Sequence, residues 1–404
     1  MKTENLYRLN IKPPHVLYLI LLSAFAAMGA ILMTPGLPQI AAYFHVSHGA
    51  AQLTVTSFLL GYAIGQLIYG PIANRLGRKP AFYIGIMIAT LGSLFSILSS
   101  PIESFDLLII GRLFEAIGSS AGLVICFTII NDFYYPEQSR KIVGMMMLAF
   151  AIMPGIATAA GGFLTEYFRW QSCFYFLLLY GLALIYPASH LPETLIKADP
   201  FALQYRYLVK NYFRMLRNRK MMCYAMISGL SSACVYVYGT EGPFIGVHYL
   251  SLLPAEYGLM SLLPFLGTLL GSIITIYFSK FSAPKLLHTA FALETLGTLL
   301  LFFFFLFHWV TLASLFIPIG ILFIGHAILA SNALTLACMQ TDDKANGSAV
   351  MNFASCAMPV LLTFLLGVFH VSSAIILPLL FAVALLSMLM IYHFGLRDQL
   401  EEIS

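Results

Sequence analysis

An arginine and a glutamate stand three residues apart inside a long apolar run of this 404-residue chain. The run reads LLIIGRLFEAIGSSAGLVI and contains Arg112 and Glu115, which share one face of a helix and can neutralise each other there. An ionisable side chain at the centre of a bilayer costs roughly 2.5–3.5 kcal/mol on insertion scales, so each one is a candidate for function. The pair could bind and release a proton, or it could be a fixed ion pair that holds helices together.

Three other ionisable residues lie within apolar runs. Glu241 is close to the end of its run, where it could be a gate or protonation residue, or a carboxylate wetted at a helix end. Glu294 and His326 lie deeper, and we interpret them as hydrogen-bonded groups that support helix packing. We therefore take Arg112, Glu115 and Glu241 as the candidates for proton coupling.

Twelve apolar runs of bilayer-spanning length carry these residues. A helix needs about 20 apolar residues to cross the hydrocarbon core. The runs fall near 16–35, 52–73, 80–99, 106–129, 141–163, 172–190, 221–245, 256–278, 286–307, 309–333, 347–369 and 373–394. Charged residues make up 9% of the chain and the mean hydropathy is +0.88, whereas soluble domains carry about 25% charged residues. The chain is therefore predicted to be an all-α membrane protein.

The positive charges predict the orientation of the chain. Nineteen of its 21 lysines and arginines fall in segments on one side of the twelve runs, and Arg169 alone lies on the other side. Basic residues near span ends stay cytoplasmic, so both termini are expected in the cytoplasm. The net charge of +4 is spread over short loops and gives no sign of a nucleic-acid surface.

One sizeable polar segment divides the chain into a six-span bundle at 1–190, a cytoplasmic loop at 191–220 and a second six-span bundle at 221–404. Equal halves are typical of transporters built from an internal repeat. The loop contains QYRYLVKNYFRMLRNRK, which is either an amphipathic helix against the lipid headgroups or a basic tether that fixes orientation.

The sequence lacks the motifs of nucleotide-binding, zinc-binding and catalytic sites. The sequence contains no phosphate-binding loop of the form Gly-x-x-x-x-Gly-Lys-Ser/Thr, and its six cysteines show no Cys-x-x-Cys spacing. We expect no metal site, no cofactor and no enzymatic activity. Transport energy would then come from an ion gradient.

The segment FLLGYAIGQLIYGPIANRLGRKP has the sharpest local pattern in the chain. Gly61, Gly65 and Gly70 leave one face of the second helix nearly bare, which lets helices approach closely in lipid. Gly70 and Pro71 are expected to start a tight turn.

This segment resembles the loop between helices two and three of the major facilitator superfamily. The matching residues are Gly70, Ala73, Arg75, Gly77, Arg78, Lys79 and Pro80, whereas Asn74 replaces the usual aspartate.

Two further segments resemble the twelve-span drug/proton antiporters of this superfamily, in the bicyclomycin- and chloramphenicol-resistance branch. Arg112 and Gly118 match the pattern of helix four, with Glu115 at the place of a glutamine. In helix five, MPGIATAAGG matches the antiporter signature at Pro154, Gly161 and Gly162, whereas Thr158 replaces its second proline. The aspartate that this branch often carries in helix one is absent, since Ile31 stands there.

The resemblance implies two six-helix bundles around a central cavity that opens alternately to the two faces. It implies that Arg112 lines the cavity, which favours the proton-coupling interpretation of its pair with Glu115. It also implies that Asp132, at the end of helix four, pairs with Arg75 and Arg78 as a cytoplasmic latch and partly replaces the charge missing at Asn74.

The resemblance implies proton-coupled export of small, largely apolar compounds by a monomer in the bacterial inner membrane. The candidate cavity residues are aromatic, polar or flexible: Tyr62, Gln66, Phe150, Met153, Tyr236 and Tyr238. The alternatives are a dedicated exporter of a metabolite or siderophore, a symporter for uptake, and a transport-dead membrane sensor.

Overall fold

The computed structural model describes residues 13–278, 283–341, 343–369 and 374–396. Within these ranges twelve helices are long and apolar enough to cross a membrane, which confirms the predicted all-α membrane fold. We call them spans 1 to 12. Their helical segments are span 1, Val16–Ile31, Thr34–Gly36 and Leu37–Tyr43; span 2, His48–Leu76; span 3, Arg78–Leu98; span 4, Phe105–Ser119 and Ala121–Phe133; span 5, Pro136–Phe168; span 6, Gln171–Ala183 and Ile185–Ser189; the linker helix, Tyr205–Leu216; span 7, Arg219–His248; span 8, Pro254–Met260 and Leu262–Tyr277; span 9, Ala283–Leu306; span 10, Leu312–Met339; span 11, Lys344–Phe369; and span 12, Ile376–Gly395.

Several spans are longer than predicted. The prediction used apolar runs alone, whereas the helices continue into the polar residues at their ends. Span 2 begins four residues before its predicted start, where the hydroxyl of Ser47 accepts a hydrogen bond from the amide of Ala50. Span 7 begins in the same way with Asn218 as its cap. Residues 1–12 and 397–404 of the predicted bundles, the predicted start of the last span at 373 and the basic residue Lys280 lie outside the described residues.

The turn expected at Gly70 and Pro71 is wrong. Span 2 continues through both residues to Leu76, and the chain turns at Gly77, whose φ of +109° suits glycine. Proline removes one backbone donor from the helix, so the carbonyl of Leu67, four residues earlier, needs another partner. The hydroxyl of Tyr212 in the linker helix donates to that carbonyl at 2.8 Å. A neighbouring segment therefore satisfies the group that the proline frees, as membrane helices require.

Most buried apolar side chains belong to two clusters, one built mainly from spans 1–6 and the other mainly from spans 7–12. This clustering supports the proposed division of the chain at the 191–220 segment. Below, residues 13–190 are the N-terminal half and residues 219–396 the C-terminal half. The linker side is the side of the molecule on which the 191–220 segment lies, and the distal side is the opposite one.

Spans 3 and 4 interlock through glycines at reciprocal positions. A Cβ on Gly118 would lie 2.2 Å from the backbone nitrogen of Ala89, and one on Gly92 would lie 2.2 Å from that of Glu115. A Cβ on Gly111 would lie 2.7 Å from the nitrogen of Ser96. Backbone therefore packs directly on backbone, and the segment that carries Glu115 is fixed in place.

The two halves meet through spans 2 and 11 and through spans 5 and 8. At the distal side, a Cβ on Gly49 of span 2 would lie 2.6 Å from the carbonyl oxygen of Gly367 in span 11. A Cβ on Gly162 of span 5 would lie 2.3 Å from that of Pro254 in span 8. The distal ends of the halves are therefore in close contact in this conformation.

Replacement of Gly118 by alanine tests the interlock of spans 3 and 4. Since the added methyl group meets backbone atoms that cannot move aside, overpacking should destabilise the fold by about 1–3 kcal/mol. We expect a lower melting temperature for Gly118→Ala in detergent. Gly144→Ala is the matched control, because a Cβ there meets nothing within 4 Å and alanine favours a helix. Equal melting temperatures for the two variants would contradict the proposed packing.

Candidate functional site

The guanidinium of Arg112 is fully buried within the N-terminal half, and each of its three nitrogens donates a hydrogen bond. Its Nη1 lies 3.0 Å from Oε2 of Glu115, and both side chains are 0% exposed. Nη2 donates to the carbonyl of Gly29 in span 1 at 2.7 Å, and Nε donates to that of Thr54 in span 2 at 3.3 Å. The ring of Phe58 lies 4.3 Å from the guanidinium carbon. The predicted pair therefore exists, and it links spans 1, 2 and 4.

One carboxylate oxygen of this pair has no partner. Oε1 of Glu115 is buried and makes no hydrogen bond among the described residues. It lies against span 1 at Gly29, where an added Cβ would be 3.2 Å away. A buried acceptor without a donor is costly, and a proton on this oxygen would reduce its negative charge. The free oxygen is thus a place where a proton can bind, whereas Oε2 is held by Arg112.

A second buried carboxyl group joins the two halves. Glu241 of span 7 is 8% exposed, and its Oε1 accepts a hydrogen bond of 2.6 Å from Nε2 of Gln52 in span 2. One turn further along span 2, the hydroxyl of Thr56 lies 2.9 Å from that of Thr363 in span 11. These contacts join the halves near the distal ends of their helices. We call the pair of Gln52 and Glu241 the distal bridge.

Gln52 did not emerge from the sequence as a functional residue. A single amide in an apolar run was its only signal, and that signal does not identify a partner 189 residues away in the chain. The amide can bind the carboxyl group of Glu241 with or without its proton, because an amide has both a donor group and an acceptor oxygen. Its oxygen is buried and has no hydrogen-bond partner among the described residues. A turned amide could accept a hydrogen bond from the protonated acid, so the bridge can form in either protonation state.

Two further contacts close the distal side. The ring of His48 packs against those of Phe244 and His248, with centroids 4.4 and 5.1 Å away. A carboxylate oxygen of Glu166 in span 5 accepts a hydrogen bond of 2.9 Å from the amide of Ala255, in the first turn of span 8. An anion is stabilised at that position by the helix dipole. The distal bridge is therefore part of a wider contact between the halves.

On the linker side, Arg78 and Asp132 form the ion pair that the sequence predicts. Nη2 and Nε of Arg78 lie 2.8 and 3.0 Å from Oδ2 of Asp132, and both residues are buried. Nη1 of Arg78 donates to the carbonyl of Ala73 and to Oδ1 of Asn74. The asparagine therefore keeps a hydrogen bond to the arginine without contributing a charge. Arg75, which is also predicted in the latch, has an exposed side chain at the end of span 2.

A glutamate that the sequence analysis did not select also binds this region. The two carboxylate oxygens of Glu193, in the segment after span 6, accept hydrogen bonds of 3.0 Å from the amides of Arg78 and Lys79. These amides are among the free donors at the start of span 3, where an anion is stabilised. Thr194 donates to Asp132 at 2.9 Å. Glu193 therefore adds a second carboxylate near Arg78, where Asn74 carries no charge.

The helix-five residues lie where span 5 packs against its neighbours. Pro154 lies inside the helix and does not end it. A Cβ on Gly161 would lie 1.6 Å from the carbonyl oxygen of Leu32 in span 1, whereas Gly162 faces span 8. These adjacent glycines let span 5 fit between its own half and the other half. Gly70, by contrast, has open space around it.

The predicted cavity residues occupy different surroundings. Tyr62 packs against the core of the C-terminal half, and Tyr236 packs against the cores of both halves. Gln66 is buried, and Phe150 and Met153 are half-buried. Tyr62 and Tyr236 therefore lie between the halves, where the predicted cavity would form.

Tyr238 is enclosed within the C-terminal half. Its hydroxyl lies 2.9 Å from that of Ser261, and its ring packs edge-on against Phe323. The assignment of these residues to a substrate cavity stays a prediction.

Comparison with known proteins identifies relatives over most of the chain. A sequence profile described as Major Facilitator Superfamily matches residues 19–363. The bicyclomycin resistance protein homolog of Haemophilus influenzae is 25% identical over 346 residues, which is 82% of this chain and 83% of that protein. Multidrug resistance protein D of Escherichia coli is 27% identical over 255 residues, 60% of this chain and 63% of that protein.

The fold has a counterpart among solved structures. The partially occluded inward-open conformation of the xylose transporter XylE from Escherichia coli superimposes with a TM-score of 0.73. The match covers 94% of this chain and 96% of that chain at 14% sequence identity. At this identity the similarity concerns the fold alone, and it confirms the predicted arrangement of twelve helices.

The exposed Arg75 and the buried Arg78 form a matched pair for testing the latch. Arg78→Ala breaks the buried ion pair with Asp132, and removing one partner of such a pair should cost about 3–5 kcal/mol of folding stability. Arg75→Ala removes an exposed charge and should change stability by less than about 0.5 kcal/mol. Thermal unfolding of the purified variants measures the difference. A loss at Arg78 as small as that expected at Arg75 would show that the ion pair with Asp132 does not stabilise this end of the molecule.

Proposed function

The chain belongs to the major facilitator superfamily, and from this premise we propose that it exports small, largely apolar organic compounds in exchange for protons. The observation that carries the proposal is the distal bridge, in which a buried carboxyl group joins the two halves of a transporter. Opening the distal side requires this contact to break. The protonation of Glu241 and the conformation of the molecule are then linked, as proton coupling demands.

The distal bridge would work as a proton-sensitive gate. While the distal side is closed, Glu241 is shielded from water, and the partner that it binds across the interface is a neutral amide. An unpaired carboxylate is costly in such surroundings, so the closed state favours the neutral acid. When the halves separate, water solvates the carboxyl group and removes this preference. A proton taken up from the distal solution would thus stabilise the closed state, which faces the linker side.

Arg112 and Glu115 would couple the N-terminal half to the same cycle. A proton on the free oxygen of Glu115 weakens its attraction for Arg112 and leaves the positive charge less compensated. Arg112 could then attract a polar group of a substrate or a second acid. Since both side chains are fully buried here, their exchange with water requires another conformation of spans 1, 2 and 4.

Export of lipophilic compounds is supported by the relatives and by the residues between the halves. The printed names of two relatives refer to resistance to bicyclomycin and to multiple drugs. Tyr62 and Tyr236 offer wide aromatic surfaces near Gln66, which suits varied apolar guests with few polar groups. We further propose that the protein is a monomer in the bacterial inner membrane, with its linker side and termini in the cytoplasm and without a cofactor or a nucleic-acid partner.

The proton gradient is sufficient for this task. One proton that crosses about 100 mV releases roughly 2.3 kcal/mol. Since about 1.4 kcal/mol corresponds to a tenfold ratio, this energy supports a substrate gradient of about fiftyfold.

Transport in proteoliposomes tests the coupling directly. With a panel of lipophilic cations and antibiotics, an imposed pH gradient equivalent to about 100 mV should drive accumulation in vesicles that contain the wild-type protein. Glu241→Gln and Glu115→Gln should reduce gradient-driven accumulation from about fiftyfold to about onefold, because the amide binds no proton at these sites. Substrate counterflow, which needs no gradient, should persist. Glu103→Gln, at an exposed residue on the distal side, is the control.

Three outcomes would contradict the proposal. Full gradient-driven transport by both glutamine variants would remove the two acids from the coupling mechanism. Substrate movement in the direction of the protons would indicate uptake by symport. Binding without any flux would indicate a membrane sensor.

The gating role of the distal bridge has a separate test. Thr363→Cys places a thiol beside the bridge, where it is fully buried while the halves are in contact. Adding Gln52→Ala removes a hydrogen bond across the interface and should shift the molecule toward the distally open state. We expect the rate of maleimide labelling to rise by about tenfold, which corresponds to the loss of one buried hydrogen bond. An unchanged rate would show that the bridge does not stabilise distal closure.

A further inference from the structure

A further buried acid lies in the C-terminal half, away from Glu115, Glu241 and Asp132. The hydroxyl of Ser231 in span 7 is hydrogen-bonded to Oε1 of Glu294 in span 9 and lies 2.8 Å from Nδ1 of His326 in span 10. One hydroxyl therefore connects a carboxyl group with an imidazole. Glu294 and Ser231 are buried, whereas His326 is half-buried.

Glycines in spans 9 and 10 allow the close packing that forms this cluster. A Cβ on Gly325, the residue before His326, would lie 2.9 Å from Cγ of Glu294. A Cβ on Gly297, three residues after Glu294, would lie 2.7 Å from the carbonyl oxygen of Pro318. Spans 9 and 10 therefore approach closely on both sides of Glu294. The close approach brings its carboxyl group within reach of span 7.

The cations of the surrounding spans are remote from the carboxyl group. Spans 7 and 9 contain Arg219, Lys220 and Lys285, all in their first three residues, and spans 10 and 12 contain no lysine or arginine. Lys285 is nine residues from Glu294, which corresponds to about 13 Å along the helix. The nearest cation on the same helix is therefore too distant to form an ion pair with Glu294.

The other titratable groups near the cluster do not provide a compensating charge. Cys234 of span 7, a neutral thiol, lies near the carboxyl group. On span 12, which also packs against span 9, Tyr392 lies near His288, almost two turns from Glu294 towards the linker side. A lone carboxylate would therefore be an unpaired charge in the interior, which costs several kcal/mol. One proton held by the cluster removes that cost.

We propose that Glu294, Ser231 and His326 form a proton-binding relay in which Glu294 holds the proton in this conformation. The acid donates to the oxygen of Ser231, whose own hydrogen points to Nδ1 of His326. Transfer moves the proton of Glu294 to the serine oxygen while the serine proton passes to the imidazole. The products are a carboxylate, an intact hydroxyl and an imidazolium, so the charges and protons balance.

In this relay the proton would exchange with the surroundings through the half-buried imidazole. His326 is the most accessible member, whereas the carboxyl group that stores the proton is enclosed by spans 7, 9 and 10. A proton would therefore enter and leave through His326, with Ser231 as the bridge. Proton binding at this cluster stands apart from the export function, but its use in transport rests on the proposed function.

Infrared spectroscopy of the purified protein in lipid tests the relay without a substrate. At neutral pH, Glu294→Gln should remove one band of a protonated carboxyl group from the spectrum. On transfer to D2O, the wild-type band should shift as the proton exchanges. Ser231→Ala should slow this exchange by about tenfold or more, because the bridging hydroxyl is lost. His326→Gln should also slow it, and this variant keeps a polar side chain if Ser231→Ala does not fold.

Ser232→Ala is the matched control, since the hydroxyl of Ser232 donates to the carbonyl of Ser228 in its own helix. Its exchange rate should equal that of the wild type. If Glu294→Gln removes no carboxyl band, Glu294 is ionised and the proposal is wrong. If Ser231→Ala and His326→Gln exchange as fast as the wild type, the cluster holds a proton but does not relay it. Failure of gradient-driven transport with the band and the slowed exchange intact would overturn the export function and leave the relay standing.

Discussion

The structure depends on the need of each buried charge to find its partners inside the protein, because hydrocarbon offers none. Arg112 meets this need with a carboxylate from its own helix and with carbonyl oxygens from spans 1 and 2. The same contacts that neutralise the charge also join three helices. Charge compensation and helix assembly are therefore one interaction in the N-terminal half, and a change of protonation at Glu115 acts on both.

Close approach of the helices makes such compensation possible. The carbonyl of Gly29 is within reach of Arg112 because span 1 comes near spans 2 and 4, and glycines at the crossings allow this distance. Gly92 and Gly118 do the same between spans 3 and 4, as Gly325 does between spans 9 and 10. Small residues thus determine where polar groups from different helices can meet, since the lipid provides no hydrophobic force that would press the helices together.

The sequence predicts the features that depend on residues close together in the chain or on a family pattern. Twelve apolar runs predict the spans, spacing of three residues predicts the pair of Arg112 and Glu115, and the family pattern predicts Arg78 with Asp132. Contacts between distant segments were missed: Gln52 with Glu241 and the amide contacts of Glu193 require the folded arrangement. His326 and Glu294 were each interpreted as isolated packing groups for the same reason. The turn expected at Pro71 was wrong because a neighbouring helix supplies the hydrogen bond that the proline removes.

Three of the buried acids, Glu115, Glu241 and Glu294, differ in the partner that faces them, and this difference gives them different parts in the proposed transport cycle. Glu115 faces a cation, so its ionised form is compensated whatever the position of the other half. The partners of Glu294 belong to its own half, so its proton can move between them without separation of the halves. Glu241 alone among the three bonds to a residue of the opposite half, and its surroundings change from amide to water when the halves part. Conformational change therefore acts on Glu241 directly, and it reaches the other two acids only by altering the packing of helices within each half.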